Sequence, residues 1–197
     1  MKMRKSYRYI PNGITVVRLL LVPLFAGYLD AIVKHDCTSI FSLVLFLIII
    51  GSDILDGAMA RILKATSSTG ARLDVLADSV YILSTSLLLM ASGILPLWFF
   101  IIISLKLLEF IITSKILNKR EKISSVLFMD KSGKAGASIA MLIPGILCVR
   151  NFVFDYKLLI RLTIYTVASL FLISLTMRIS SLKKTGQVKP YQNGSPQ

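Results

Sequence analysis

Residues 51–80 read GSDILDGAMARILKATSSTGARLDVLADSV, with Asp53 and Asp56 closing one apolar run and Asp74 and Asp78 opening the next. In a helix, Asp53 and Asp56 lie three residues apart and leave from one face. Gly70, Asp74 and Asp78 recur every four residues and share a face of the following helix. The polar stretch between them, KATSST at 64–69, reverses the chain. Two antiparallel helices therefore aim four carboxylates at one point.

The surrounding sequence is that of a membrane protein. Of 197 residues, 55% are hydrophobic, against about 45–50% for soluble domains even with glycine counted. A spanning helix needs roughly 20 mostly apolar residues. Such runs fall at 14–33, 38–62, 74–93, 95–117, 135–152 and 158–179. They predict an all-α protein of six transmembrane helices with both termini on one side. One membrane domain is expected over 1–182, its first 13 residues an interfacial segment, followed by a flexible tail at 183–197. No internal repeat is evident.

The formal charge of +13 does not point to nucleic acid, because the basic residues sit in short gaps between apolar runs rather than on a soluble face. One side collects Lys2, Arg4, Lys5 and Arg8, then Lys64 and Arg72, the cluster from Lys115 to Lys134, and Arg178 to Lys189. The other holds Lys34, Arg150, Lys157 and Arg161. Retention of Lys and Arg in the cytoplasm predicts cytoplasmic termini and a multi-pass protein of the cell membrane whose aspartates face the cytoplasm. Lys2 to Asn12 mixes cations with Tyr7, Tyr9 and Ile10, which suits the membrane interface, and Pro11 marks a break before the first span. No cleavable signal is expected after this basic start. Cys37 and Cys148 lack metal-site spacing and read as small apolar fillers. Trp98 reads as an interfacial anchor and His35 as an ordinary loop residue.

Each ionised carboxylate in a bilayer costs about 2.5–3.5 kcal/mol, and clustering adds like-charge repulsion. Arg61 and Arg72 cannot neutralise four of them, whereas one or two divalent ions with oxygen ligands can. Hard Mg²⁺ or Mn²⁺ fits better than zinc, since no His or Cys is placed to join. Such ions keep positions open for phosphate oxygens, so a phosphate or diphosphate compound is the expected ligand. Gly57, Ala60 and Gly70 bare the helix surface for its approach, and Arg61 adds positive charge. The blander alternative is that the aspartates pair with arginines or line a water-filled ion path, with the small residues serving helix packing.

Asp53, Asp56, Gly57, Ala60, Arg61, Gly70, Asp74 and Asp78 match every fixed position of the pattern D-x2-D-G-x2-A-R-x8-G-x3-D-x3-D, and in this the sequence resembles the CDP-alcohol phosphatidyltransferase family. The resemblance implies transfer of a phosphatidyl group from CDP-diacylglycerol to a small alcohol with release of CMP, in phospholipid biosynthesis, by a homodimer. It further implies that Asp53, Asp56, Asp74 and Asp78 hold Mg²⁺ or Mn²⁺, with Asp78 also the base on the acceptor hydroxyl. Thr15, Gly57, Ala60, Arg61 and Gly70 would meet the CDP-lipid.

For the acceptor, PNGITVVRLLLVP resembles the PNxLTxxRxxxxP pattern of the phosphatidylglycerophosphate synthase branch through Asn12, Thr15, Arg18 and Pro23. Arg18 lies about two turns into a span, so it should face a polar cavity. Glycerol 3-phosphate is therefore the leading acceptor, with Arg18, Lys106 and Lys134 as candidate binders. Two features depart from that branch. Leu108 precedes Glu109 where an Arg-Glu pair is usual, and the GKxKT motif appears as Gly133, Lys134, Ala135, Gly136 and Ala137. Glu109 is expected to pair with Lys106 three residues earlier. Inositol phosphate, serine, another polyol or a second lipid headgroup remain alternative acceptors. A divalent-cation transporter is the alternative from a different class.

Overall fold

A computed structural model describes residues 10–35, 40–62, 68–121 and 131–186. Among the described residues, seven helices run in order: α1 (Ile10–His35), α2 (Ile40–Ile62), α3 (Ser68–Ala91), α4 (Leu97–Glu121), α5 (Lys131–Ala140), α6 (Ile143–Cys148) and α7 (Tyr156–Gly186), with a short 3₁₀ turn at Arg150–Phe152. No strand occurs among the described residues.

Among the described residues, helix occupies most of each of the six apolar intervals. Thr15–His35, Leu73–Ala91 and Tyr156–Met177 are long and apolar enough to cross a membrane, and Ile40–Leu55 and Ser132–Cys148 form shorter apolar stretches. Leu20, Leu47, Leu105, Leu162 and Leu172 stay exposed on the outside of the bundle, as a lipid-facing surface requires. Pro11 falls in the first turn of α1, where a missing backbone donor costs nothing. Helix α7 continues to Gly186, into the stretch expected as tail.

The fifth interval, expected as one span, is divided. Pro144 sits at the start of α6; it has no N–H to bond the Ala140 carbonyl and its ring crowds that carbonyl. Met141 N–H still reaches Ala137 O at 3.0 Å, but Leu142 N–H turns to Ile139 O, a tighter three-residue step. The Met141 carbonyl instead accepts a hydrogen bond from Tyr81 Oη at 3.2 Å. Non-helical backbone inside an apolar layer survives only when protein groups satisfy it in this way.

Helix α1 packs between α2 and α3, α5 lies along α7, and α6 inserts against α1, α2 and α7. Among the residues of α1 whose surroundings are described, the buried ones are Thr15, Arg18, Val22, Phe25, Leu29 and Ile32, one stripe at helical spacing. Phe25 stacks on Tyr81 of α3 at 5.9 Å and meets Phe46 of α2 at 6.2 Å. This aromatic trio ties the three helices together one or two turns from Arg18.

Gly145 lets α6 close on that trio. A β-carbon there would strike the Phe46 ring, and Phe46 is itself held against Phe25. Gly145→Ala is thus expected to destabilise the fold by about 1–3 kcal/mol through overpacking, read as a lower thermal unfolding temperature in detergent. An unchanged midpoint would mean that Phe46 is free to yield.

Candidate active site

Three helical stripes converge on the aspartates. On α2, buried Ser42, Phe46 and Ile49 lead at helical spacing to Asp53. On α3, buried Leu89, Thr85 and Tyr81 lead back to Asp78 and Asp74. The α1 stripe ends on Arg18. The packing that buries the apolar part of each stripe thus carries its charged end to one place.

Arg18 occupies the centre. Its Nη1 donates to Asp53 Oδ1 at 2.5 Å and its Nη2 to Asp74 Oδ1 at 2.6 Å. Asp78 Oδ1 lies 3.4 Å from Nη2. The Arg18 side chain is 1% exposed, whereas those of Asp53, Asp74 and Asp78 are 32, 42 and 29% exposed. The arginine is therefore sealed in and the carboxylates open outward, where a ligand can reach them. Planar geometry suits this task, since one guanidinium donates through two separate nitrogens.

Three carboxylates against one guanidinium leave two formal negative charges. One oxygen from each of Asp53, Asp74 and Asp78 lies within 4.8 Å of the others. Asp78 Oδ1 is buried and makes no hydrogen bond among the described residues. All three ligands are hard oxygen donors. Residual charge, spacing and an unsatisfied buried oxygen together fit a divalent cation of the Mg²⁺ or Mn²⁺ type.

Gly70 lies half-buried at the start of α3, one turn before Asp74, and Thr15 is buried one turn from Arg18 on α1. Asp56, Gly57, Ala60 and Arg61 lie outside the residues whose surroundings are described.

The expected acceptor residues divide. Lys134 is exposed on α5 and near enough to Asp78 to act on it through space. Lys106 is buried and donates to Glu109 Oε2 at 2.7 Å and to Ser174 Oγ of α7. The pairing with Glu109 is the one its i, i+3 spacing predicts. Ser174 carries no sequence signal, because only the contact of α4 with α7 brings it there. Leu108 is exposed on the outer face of α4. At Gly136 a β-carbon would lie 2.6 Å from Phe171 Cε1, so a lysine side chain could not start there without displacing that ring. Ala137 packs against the apolar core.

Over 90 residues the chain is 34% identical to proteins named putative cardiolipin synthase from Mycobacterium bovis and Mycobacterium tuberculosis, covering 46% of this chain and 41% of theirs. It is 42% identical over 90 residues to a cardiolipin synthase (CMP-forming) of Streptomyces coelicolor, covering 45% of this chain and 42% of that protein. The matched stretch thus spans about two fifths of these relatives' length. Their name belongs to a different branch from the phosphatidylglycerophosphate synthases whose N-terminal pattern the sequence resembles. The family model described as CDP-alcohol phosphatidyltransferase matches residues 8–178, a range that takes in Arg18, the aspartates and part of every helix, and the chain belongs to that family.

Proposed function

We propose that the protein transfers a phosphatidyl group from CDP-diacylglycerol to the glycerol headgroup of a second phospholipid, a phosphatidylglycerol, forming cardiolipin and releasing CMP at the cytoplasmic face of a six-span membrane domain. Asp53, Asp56, Asp74 and Asp78 would hold Mg²⁺ or Mn²⁺. When bound, the metal supplies positive charge that offsets the diphosphate and the departing CMP. Asp78 takes the proton from the acceptor hydroxyl. That oxygen forms its bond to the phosphatidyl phosphorus while the bond from this phosphorus to the CMP oxygen breaks, and CMP leaves with the electron pair. Thr15, Gly57, Ala60, Arg61 and Gly70 form the donor side. Arg18 keeps Asp53 and Asp74 apart and oriented.

The observation that carries the choice of acceptor is the engagement of Arg18 by three carboxylates. A small acceptor such as glycerol 3-phosphate, with a dianionic phosphate, needs cations free to receive it. Here Arg18 is held by the aspartates and Lys106 by Glu109 and Ser174. Leu108, Gly136 and Ala137 offer no charge. Among the described acceptor candidates Lys134 remains, and one lysine suits a singly charged phosphodiester already anchored by its acyl chains. The names of the relatives support the same reading. Glycerol 3-phosphate is the second reading, favoured by the pattern of Asn12, Thr15, Arg18 and Pro23.

With CDP-diacylglycerol and Mn²⁺ or Mg²⁺, purified protein is expected to release CMP at least about tenfold faster with phosphatidylglycerol than with glycerol 3-phosphate, serine or inositol phosphate, a discrimination of roughly 1.4 kcal/mol. Mass spectrometry should show cardiolipin. Preference for glycerol 3-phosphate would reverse the acceptor assignment. No CMP with any acceptor, together with Mn²⁺ uptake by proteoliposomes, would replace the transferase by a cation transporter.

A further inference from the structure

At the end of the bundle opposite the aspartates, the α3–α4 connection and the start of α7 line a half-open cavity of about 540 Å³. Asp74 and Ala91 bracket most of α3, which sets the two sites roughly 25 Å apart along the helix at 1.5 Å per residue. Ile160 and Ile164, both buried, form its apolar floor. Trp98 and Tyr165, stacked at 6.1 Å, form a wall. Lys157 and Arg161, four residues apart on one face of α7, are exposed and also line it.

No acidic residue lines the cavity, and among the described residues neither cation makes an ion pair. Asp155, nearby in sequence, has an oxygen committed to the Leu158 N–H at 2.9 Å. This side of the protein is otherwise poor in Lys and Arg, so retention in the cytoplasm does not explain two cations on one cavity. Apolar floor, aromatic wall and paired cations are the three parts that an anionic amphiphile requires.

We propose that this cavity is a binding site for an anionic phospholipid, its phosphate received by Lys157 and Arg161 and the start of an acyl chain by Ile160 and Ile164. The site is separate from the reaction centre and stands whichever alcohol is the acceptor. Surface cations alone would attract any polyanion, but the adjoining apolar floor selects a lipid over a free phosphate.

Trp98 is the single tryptophan of the chain, so its fluorescence reports on this cavity, and bromine on an acyl chain quenches only at contact range. In detergent micelles, dibrominated phosphatidylglycerol is expected to half-quench Trp98 at roughly tenfold lower mole fraction than dibrominated phosphatidylcholine. Lys157→Gln with Arg161→Gln should abolish that preference, and Lys157→Arg with Arg161→Lys should retain it. Both side chains are exposed, so neither pair should change thermal unfolding. Equal quenching by the two lipids in the wild-type protein, or a preference that survives the double glutamine variant, would overturn the proposal. Reversal of quenching by millimolar inorganic phosphate would overturn it in favour of a soluble phosphate compound. Because quenching needs neither CDP-diacylglycerol nor turnover, its outcome is independent of the transferase assay.

Discussion

Asp78→Asn is expected to lower CMP release on the order of 10³-fold while leaving the helical bundle intact. The asparagine keeps the shape of the side chain but cannot take a proton from the acceptor hydroxyl. Nor should it unfold the protein: Asp78 stands beside Asp53 and Asp74 around one guanidinium, so losing one of three like charges relieves repulsion. The fold is read by thermal unfolding in detergent and the chemistry by CMP release at saturating Mn²⁺. Asp74→Asn provides the contrast. Asp74 is proposed as a ligand and not a base, so its loss should be partly restored by raising Mn²⁺, whereas that of Asp78 should not. Wild-type turnover in Asp78→Asn would remove Asp78 from the base role.

Arg18→Ala should have the largest effect on stability. Removing one partner from a buried ion pair costs about 3–5 kcal/mol, because the remaining charge is left uncompensated. Here three carboxylates would be left, but they are 29 to 42% exposed, so water takes up part of the cost and the low end applies. Divalent cation should therefore raise the unfolding temperature more in Arg18→Ala than in wild type. Arg18→Lys should recover only part of the loss, since a single ammonium cannot place two nitrogens against Asp53 and Asp74 as the planar fork does. If Arg18→Ala unfolds within about 1 kcal/mol of wild type, the pairs contribute no more than an exposed salt bridge, and Arg18 would be available to an acceptor phosphate after all.

The all-helical character was legible in the sequence because a bilayer selects long apolar runs, and Thr15–His35, Leu73–Ala91 and Tyr156–Met177 are long and apolar enough to cross one. Pro144 marked the one interval that does not run through. It was visible as a residue, but whether a proline kinks or divides a helix depends on who satisfies the freed carbonyls. Tyr81, sixty residues earlier, does so at Met141. The pairing of Lys106 with Glu109 was likewise local, one helical step, while the Ser174 contact is separated by 68 residues.

The four aspartates were determined by the sequence alone: residue type and helical spacing place each pair on one face, and that geometry follows from 3.6 residues per turn whatever the helices pack against. The partner of Asp53, Asp74 and Asp78 was decided only by tertiary structure. Arg18 read as a cation needing a polar cavity, equally suited to an acceptor phosphate, because a span's sequence says how deep a charge lies and not what faces it. Its contacts with Asp53 and Asp74 cross 35 and 56 residues, and they exist because Phe25, Phe46 and Tyr81 lock α1, α2 and α3 in one rotational setting. Rotation of a helix about its axis changes none of its own hydrogen bonds, so only side-chain packing between helices sets it.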